Sequence, residues 1–367
     1  MSKKVLFLTP REKLNVKGGI STWTSKIIKY GLPYDYTYKI VDTSISYNRG
    51  IFYKKLNIIL EFLRTLSILS KLIVQLFKYK PSLVHFNCSI SPYGLFRDII
   101  AVYIIKLFSI PVVVHYRGNL PQPWKKTKKL ASYFLKIIIK KSDLNLAMNE
   151  TSLLFLNSIK NGSNNFILES FIDDSVFALT KNNLNNSNSL KIIFVGAIAV
   201  SKGGIELIEL AKLLPKHEFI LIGKLSPDME CFIQNLPKNI SFLGQIKHDE
   251  IYNNLQLSDI FIFPSHSEGF PNAVLEAMAI GLPVIGTNVG SIPSMIDQDI
   301  GGYLVNIGEI KKMKKHIEFL SSNFEIRRSM GVFNKKKSKE KYSYSVITKK
   351  LINLYKNELK FKNNVIH

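Results

Sequence analysis

Short runs of β-branched and aromatic residues alternate along the chain with longer stretches in which apolar residues recur at helical spacing. This alternation is typical of parallel sheets that are covered by helices. The predicted strands are residues 5–9, 38–42, 83–87, 112–116, 144–148 and 166–169 in the first half, and 191–195, 218–222, 240–243, 260–264, 284–287 and 303–305 in the second. The pattern predicts an α/β fold with two Rossmann-like, doubly wound parallel-sheet domains.

A polar, Asn-rich stretch at residues 179–191, without apolar periodicity, separates the two halves. We therefore predict a first domain at residues 1–180, a linker at 181–190 and a second domain at 191–340. Residues 341–367 have helical spacing over much of their length and are predicted to form a C-terminal helix. Ligands bind outside the carboxyl ends of the strands in doubly wound sheets, so functional residues are expected in the loops that follow the strands.

The composition is that of a folded protein with an uneven charge. The chain has 367 residues, of which 46% are hydrophobic, which allows a large core and excludes a disordered protein. The formal net charge is +23, with +16 in residues 1–180, +1 in residues 181–190, −6 in residues 191–310 and +12 in residues 311–367. A chain with basic ends and an acidic middle is expected to meet an anionic surface with its ends only.

The sequence predicts a cytoplasmic protein. Its longest candidate for a membrane span, residues 99–114, is interrupted by Lys106 and Pro111 and is shorter than the roughly 20 apolar residues that a spanning helix needs. The first residues lack the apolar centre of a signal peptide. The two cysteines, Cys88 and Cys231, are far apart and are predicted to be reduced and packed in the interior.

The segment after the predicted strand 260–264 has the densest group of candidate functional residues. Asn272 is predicted to cap a helix over residues 273–280 that ends at Gly281. Glu268 then lies in the loop before the helix, and Glu276 about one turn inside it. Carboxylates accept hydrogen bonds from sugar hydroxyls, and the N–H groups at a helix start favour anionic ligands. Two glutamates taken alone are more often solvated charges, one in a loop and one on a helix.

The spacing Glu-Gly-Phe-Pro-Asn-x-x-x-Glu-Ala-Met-Ala-x-Gly-x-Pro-Val resembles the signature of the family 4 retaining glycosyltransferases, also called glycosyl transferases group 1. Other short strings of this chain match that family in the same order: Gly18-Gly19-Ile20, Val195-Gly196, Lys202-Gly203, Phe242-Leu243-Gly244, Ser258-Asp259-Ile260-Phe261 and Gly302-Tyr303-Leu304-Val305. The resemblance implies the GT-B fold, which consists of two Rossmann-like domains facing each other across a cleft. In this fold the first domain, here residues 1–180, binds the acceptor, and the second, here residues 191–340, binds the nucleotide-sugar donor. The resemblance further implies that the C-terminal helix at residues 341–367 crosses back to the first domain.

The resemblance also assigns roles to residues of the second half. Glu276 matches the glutamate that holds the ribose of a nucleotide-sugar donor, and Glu268 matches the one that contacts the transferred sugar. Residues Phe270, Pro271 and Asn272 would offer backbone groups to the donor. Lys202 would reach the donor diphosphate and neutralise the charge that builds up on the leaving group.

The chain departs from the family at Ala197, where an Arg usually follows the strand-ending glycine. Either Lys202 acts alone there, or Arg117 supplies a second charge to a phosphate or contacts the acceptor. In the first half, Gly18 and Gly19 form a turn between a strand and a helix, where a phosphate can approach the backbone closely. His115, at the end of a predicted strand, matches the family histidine that lines the donor sugar.

The resemblance implies a transferase that retains the anomeric configuration and requires neither a metal nor a cofactor. If the acceptor attacks on the face that the nucleotide leaves, the departing phosphate can take the proton. No side chain is then an obligatory base.

A basic amphipathic helix is predicted over residues 125–141, with Leu130, Phe134, Ile137 and Ile138 on one face. Such helices bind anionic lipid surfaces. The predicted membrane contacts are Trp124, Lys125, Lys126, Lys128 and Lys129. A second stretch, residues 53–80, has a similar composition but is equally consistent with a core-packed helix that has a basic edge.

These observations predict an enzyme at the cytoplasmic face of a membrane, where it moves a sugar from a nucleotide-sugar donor, UDP-linked as in most relatives, to a saccharide or lipid-linked acceptor. The resemblance places such enzymes in bacterial surface polysaccharide synthesis, of O-antigen or capsule. A nucleotide-sugar epimerase of the same fold stays open as an alternative. A nucleic-acid-binding protein is disfavoured, because the compact basic cluster lies on an apolar helix and the middle of the chain is acidic.

Overall fold

The computed structural model describes residues 3–11, 19–33, 36–44, 54–88, 91–120, 129–162, 164–181 and 189–359. The chain divides into two compact units, one formed by residues 1–169 and 348–367 and the other by residues 170–347. Residues 170–180, expected in the first domain, therefore pack with the second unit, because Ile172 forms a β-bridge with Ser343 and its carbonyl accepts a hydrogen bond from Tyr344 N. The predicted linker at 181–190 lies largely outside the described residues.

The first unit contains one sheet of six parallel strands in the order β2-β1-β3-β4-β5-β6. Its strands are β1 (Lys3–Thr9), β2 (Tyr36–Asp42), β3 (Leu83–Cys88), β4 (Val112–Tyr116), β5 (Leu144–Ala147) and β6 (Asn165–Ile167). Its described helices are α1 (Gly19–Tyr30), α2 (Lys54–Tyr79), α3 (Pro92–Leu107), α4 (Lys129–Lys141) and α5 (Glu150–Ile159). Strands β3, β4 and β5 are buried along their whole length, as expected for a parallel sheet that is covered on both faces.

The second unit contains another sheet of six parallel strands, in the order β12-β11-β10-β7-β8-β9. Its strands are β7 (Lys191–Val195), β8 (Glu218–Ile222), β9 (Ile240–Gly244), β10 (Ile260–Phe263), β11 (Val284–Thr287) and β12 (Gly302–Val305). Its helices are α6 (Gly204–Leu213), α7 (His248–Gln256), α8 (Asn272–Ile280), α9 (Ile292–Met295), α10 (Ile310–Ser322) and α11 (Phe324–Tyr342). Each of the twelve predicted strands is present, and their ends differ from the prediction by no more than a few residues, so the α/β fold class is confirmed.

The C-terminal helix α12 (Tyr344–Glu358) packs against the first sheet through its second half. The hydroxyl of Tyr355 lies 2.6 Å from Nδ1 of His85 in β3, and both side chains are fully buried. Lys350 Nζ lies 2.7 Å from a carboxylate oxygen of Glu169. These contacts attach α12 to β3 and to the segment that follows β6, both of which lie far from it in sequence.

The packing of helix α4 contradicts the prediction that its apolar face is free to meet a membrane. Ile138 is fully buried in the core of the first unit, and Phe134 and Ile137 pack against that core. Of the four predicted face residues, Leu130 alone is largely exposed. The apolar periodicity of this helix thus reflects packing onto the sheet, and its lysines lie on the outer side.

Among the described helices, none combines the length and the apolar composition that crossing a bilayer requires.

The two cysteines differ in exposure. Cys88 is buried at the end of β3, as predicted, but Cys231 is exposed. The expectation for Cys231 was wrong because it follows the short 3₁₀ turn Pro227–Met229 instead of lying on a packed helix face.

Candidate functional site

The strand order of the second sheet defines where its ligand site is expected. From β7 the chain winds outward through β8 and β9, and from β10 it winds to the other side through β11 and β12. The loops after the neighbouring strands β7 and β10 therefore diverge at this point. In doubly wound sheets this divergence leaves a crevice at the carboxyl ends of the strands, where ligands bind.

Lys202 lies in the loop after β7, at the end of the 3₁₀ turn Val200–Lys202. Gly203 follows with φ +79° and precedes α6. A Cβ atom at Gly203 would lie 2.4 Å from the carbonyl oxygen of Pro264. Only glycine fits here, because the backbone is left-handed and passes very close to the end of β10. This close approach holds Lys202 beside the loop that follows β10.

Glu268 lies in that second loop and is bound from two sides. Its Oε1 atom is 2.5 Å from Lys202 Nζ and 2.7 Å from the Oγ atom of Ser265, which donates to it. Ser265 is itself fully buried, and its carbonyl accepts a hydrogen bond from the Thr287 hydroxyl. The carboxylate of Glu268 is thus oriented by a cation and by a hydroxyl that the sheet holds in place.

Helix α8 begins at the end of this loop and differs in one respect from the prediction. Pro271 is the N-cap residue, with φ −76° and ψ 108°, and Asn272 is the first helical residue instead of the cap. The Oδ1 atom of Asn272 is buried and has no hydrogen-bond partner among the described residues. No side chain caps the helix, so the N–H groups of its first turn remain available to a ligand.

Glu276 lies one turn inside α8 and is buried, and its Oε1 atom is 3.3 Å from Nε2 of His248 at the start of α7. Phe270, before the helix, is also buried and packs edge-on against Tyr342 at a ring distance of 5.5 Å. The helix ends at Gly281 with φ +93°, as predicted. The contact with His248 links Glu276 to the segment that follows β9.

A further pair ties the two loops together. His266 Nε2 lies 2.6 Å from Oε1 of Glu206 in the first turn of α6, and the backbone N–H of His266 donates to the carbonyl of Ser201. The sequence reasoning missed His266, Glu206, Ser265 and His248. The Glu-x₇-Glu motif identified the loop, but Glu206 and His248 lie on other elements, and the contacts of Ser265 and His266 depend on how the loop folds.

In the first unit, His115 and Arg117 lie at the carboxyl end of β4. The ring of His115 is fully buried, and its Nε2 atom donates to the carbonyl of Leu168 at 3.2 Å. Arg117 lies over the ring of Trp23, 5.3 Å from its centroid, and Trp23 also meets His115 edge-on at 6.1 Å. Trp23 and His85 complete an aromatic cluster around the predicted residue His115.

Burial determines the charge states in this cluster. Desolvation, with a smaller contribution from the Arg117 charge, lowers the pKa of His115 well below its usual value and that of His85 to about 3. Both rings are therefore neutral near pH 7. Because Nε2 of His115 donates to a carbonyl, its Nδ1 atom is unprotonated, and this atom is buried without a hydrogen-bond partner among the described residues. Desolvation also lowers the pKa of Arg117 to about 9, which leaves it charged at neutral pH.

Several predicted site residues cannot be placed. Gly18 and the predicted membrane contacts Trp124, Lys125, Lys126 and Lys128 lie outside the described residues. Gly19 is the first residue of α1, and Lys129 is an exposed residue at the start of α4. Ala197 is exposed in the loop after β7.

Within the described part of the chain, no three His, Cys, Asp or Glu side chains form a group that could hold a metal ion. The chain has one Asp-x-Asp string, Asp297-Gln298-Asp299, in which the Asp297 carboxylate is 2.9 Å from Lys337 Nζ.

The sequence of the second unit is similar to that of known proteins. Residues 177–337 match the family model described as Glycosyl transferases group 1. The capsular polysaccharide biosynthesis glycosyltransferase CapM of Staphylococcus aureus is 30% identical over 211 residues, which are 54% of this chain and 54% of that protein. A UDP-Gal:alpha-D-GlcNAc-diphosphoundecaprenol alpha-1,3-galactosyltransferase of Escherichia coli is 32% identical over 134 residues, 34% of each chain. The chain thus spans about half, or less, of the length of these relatives.

The fold is shared with solved structures over nearly the whole chain. The Anabaena protein Alr3699/HepE, in complex with UDP-glucose, superposes with a TM-score of 0.72 at 17% identity, covering 96% of this chain and 99% of that one. At this identity the likeness shows the GT-B fold class that the motifs implied. The family model matched by residues 177–337 is the one that the motifs resemble.

Proposed function

We propose that this protein is a retaining glycosyltransferase whose second unit binds a nucleotide-sugar donor at the carboxyl ends of β7 and β10. The observation that supports this most directly is the Lys202–Glu268 pair, with 2.5 Å between Nζ and Oε1, at the divergence point of the sheet and just before α8. The match of residues 177–337 to the glycosyl transferases group 1 supports the same activity.

In this proposal, Lys202 and the start of α8 hold the donor diphosphate. The ammonium group of Lys202 neutralises the negative charge that develops as the bond between the sugar and the phosphate breaks. The N–H groups of the first turn of α8 add donors and the positive end of the helix dipole. Both features act more strongly on the departing diphosphate than on the intact donor, so they favour the transition state.

The two glutamates bind the two sugar rings of the donor in this proposal. The buried carboxylate of Glu276, oriented by His248, accepts hydrogen bonds from the ribose hydroxyls, and Glu268 contacts the hydroxyls of the transferred sugar. In the first unit, we propose that Arg117, which is partly exposed, meets an anionic group of a substrate and that the buried ring of His115 helps to line the sugar site.

The chemical step that we propose forms one bond and breaks another on the same face of the sugar. The acceptor oxygen bonds to the anomeric carbon while the bond from that carbon to the diphosphate oxygen breaks. The hydroxyl proton passes to the departing phosphate, so no side chain is required as the base. The step needs no metal or cofactor in this form, and it retains the anomeric configuration.

The donor, acceptor and location are proposed from the relatives. UDP is the proposed nucleotide, because the structurally similar Anabaena protein is bound to UDP-glucose and the Escherichia coli relative is named for UDP-Gal. A lipid-linked saccharide is the proposed acceptor, since the name of that relative specifies a diphosphoundecaprenol. Such an acceptor would place the protein at the cytoplasmic face of a membrane, in the synthesis of a surface polysaccharide such as capsule or O-antigen.

A thermal-shift screen of UDP, GDP, CDP and ADP, free and sugar-linked, tests the donor site. A ligand that binds the native state alone raises the melting temperature by mass action. We expect UDP compounds to stabilise the wild type and to have little effect on Glu276→Ala. If no nucleotide stabilises the wild type, the proposal is wrong. If GDP compounds stabilise the wild type instead, the proposed glycosyl transfer stands and the donor nucleotide is GDP in place of UDP.

The products distinguish a transferase from an epimerase. Incubation of the stabilising nucleotide sugar without acceptor should give slow hydrolysis, with the released sugar first appearing in the anomeric configuration of the donor by NMR. Accumulation of an epimeric nucleotide sugar would identify an epimerase and contradict the transferase proposal.

A further inference from the structure

Helix α2 of the first unit is apolar on two opposite faces. One face packs on the sheet and includes Ile68, Leu72 and Leu76, each with 3% exposure or less. The other face is exposed, with Phe62 at 58% and Phe77 at 62% exposure. The exposed apolar residues of α2 are Ile59, Phe62, Leu63, Leu66, Ile73, Val74 and Phe77. Their separations of three, four and seven residues place them along one stripe, about 22 Å long between Phe62 and Phe77.

The exposed stripe continues across the two neighbouring helices. Phe77 contacts Phe108 at the end of α3, with ring centroids 4.9 Å apart. Phe96 of α3 lies 6.1 Å from Phe134 of α4. Helices α3 and α4 add further large exposed side chains to this layer: Tyr93, Phe96, Tyr103, Leu107, Leu130 and Tyr133. The three helices together form a contiguous surface that we call the outer helical layer. An apolar surface of this extent is unusual for a protein region that contacts only water.

The charge of the outer helical layer has a single sign. Glu61 and Asp98 are the only acidic residues in the sequences of α2, α3 and α4, and both are buried and paired with Arg64 and Arg97 at 2.5 Å. The exposed lysines of these helices are Lys71, Lys78, Lys129, Lys136, Lys140 and Lys141. Lys141 Nζ lies 5.9 Å from the ring centroid of Tyr103, so basic and aromatic groups are interleaved. The layer therefore offers apolar groups and positive charge without an exposed carboxylate on its described positions.

We infer that the outer helical layer docks onto an anionic lipid bilayer, with the stripe of α2 inserted among the headgroups. This deepens the proposed function by naming the surface that meets the membrane, but its evidence is independent of the donor site. Apolar side chains supply the insertion, and lysines are attracted by the negative surface potential of anionic lipids. A second copy of this chain is a poorer occupant, because the layer would face an equally positive surface.

Co-sedimentation of the full chain with vesicles tests this inference at about 0.15 M salt, where distant surface charges are largely screened. Wild type should bind phosphatidylcholine vesicles that contain about one-third phosphatidylglycerol, and it should bind pure phosphatidylcholine much more weakly. The double variant Phe62→Gln, Leu66→Gln should bind the anionic vesicles at least about tenfold more weakly. Replacing Lys71 and Lys78 by Gln should weaken binding about fivefold for each lysine.

Matched controls come from the second unit. Val332, at 65% exposure, and Leu213, at 48%, are exposed apolar residues on α11 and α6. The double variant Val332→Gln, Leu213→Gln should bind anionic vesicles as the wild type does. Lys311 and Lys315 on α10 are exposed, and their replacement by Gln should also have no effect beyond twofold. Equal losses in the control and test variants would show a non-specific effect and overturn the inference.

Two additional measurements complete the test. Multi-angle light scattering should show a monomer. If the wild type is a dimer and the Phe62→Gln, Leu66→Gln variant is a monomer, the occupant of the layer is a second copy instead.

UDP-induced stabilisation should be the same in all these variants and in the wild type. Loss of vesicle binding with UDP stabilisation intact therefore concerns the docking surface alone, and absence of UDP stabilisation with vesicle binding intact concerns the donor site alone. The inference would be refuted if the wild type bound anionic and neutral vesicles equally well and the Phe62→Gln, Leu66→Gln variant bound as the wild type does.

Discussion

Nζ of Lys202 lies 2.5 Å from Oε1 of Glu268, and this contact joins the loop after β7 to the loop after β10 across 66 positions of sequence. Lys202 is 32% exposed, so the pair is accessible to a ligand. Ser265 holds the carboxylate from the other side. In the proposed function, a diphosphate that binds here replaces Glu268 as the partner of the ammonium group, and the Glu268 carboxylate then becomes available to a sugar hydroxyl.

Lys202→Met should weaken UDP binding by about ten- to a hundredfold, because hydrogen bonds to charged groups contribute about 1.5–3 kcal/mol. Isothermal titration calorimetry measures the change. Lys312→Met is the matched control, since Lys312 is paired with Glu309 at the same 2.5 Å on the surface of α10. Equal affinities of Lys202→Met and Lys312→Met for UDP would contradict the assignment of Lys202 to the diphosphate.

Glu276→Gln should reduce UDP affinity by about tenfold, since the amide keeps the size of the side chain but loses its charge and one acceptor site. The loss should not add to the loss caused by removing the ribose 2′-hydroxyl, because both changes remove the same hydrogen bond. A cycle of wild type and Glu276→Gln with UDP and 2′-deoxy-UDP measures this coupling. If the two losses of affinity add, Glu276 does not bind the ribose 2′-hydroxyl. Glu209→Gln, at an exposed position of α6, serves as the control.

Gly203→Ala should destabilise the protein more than Gly308→Ala. Both glycines have φ +79°, so both substitutions cost about 1–2 kcal/mol of backbone strain. The added Cβ meets nothing within 4 Å at Gly308, but at Gly203 it lies 2.4 Å from Pro264 O. Urea unfolding curves of the two variants measure the difference in the free energy of unfolding. Equal values would mean that the loops after β7 and β10 are further apart than the structure shows.

Acid should destabilise the first unit at mildly acidic pH. The pKa of His85 is about 3 in the folded state, lowered by burial from an ordinary value of about 6.5. Below pH 6.5 the unfolded chain therefore binds a proton that the folded chain does not, and stability falls as the pH decreases towards 3. His85 alone should cost about 2 kcal/mol between pH 7 and pH 5, and buried His115 shifts the balance in the same direction.

Tryptophan fluorescence during urea unfolding measures this loss selectively, because both tryptophans, Trp23 and Trp124, belong to the first unit. The variant His85→Asn removes the titrating ring and should flatten the dependence of stability on pH. An unchanged slope in this variant would show that His85 is protonated in the folded state or accessible to water.

The motif Glu-x₇-Glu and the strand Ile260–Phe263 before it could be located from sequence because each depends on short-range spacing. The same reasoning misplaced the helix start, since Asn272 is a preferred capping residue but Pro271 has the extended backbone of the N-cap. It also assigned an exposed apolar face to α4, where Ile138 packs on the sheet. Apolar spacing shows that a helix has an apolar face, and it does not show which faces the neighbours cover.

The amino-acid sequence by itself determined the alternation of strands and helices, the α/β class, the loops that contain Lys202 and Glu268, and the helix that contains Glu276, because hydrophobic periodicity and turn residues act over a few positions. Only the tertiary structure decided that Lys202 meets Glu268, that Tyr355 contacts His85, and that the outer face of α2 is exposed among the described residues. These relationships depend on strand order and on packing between segments far apart in the chain, and no local pattern encodes them.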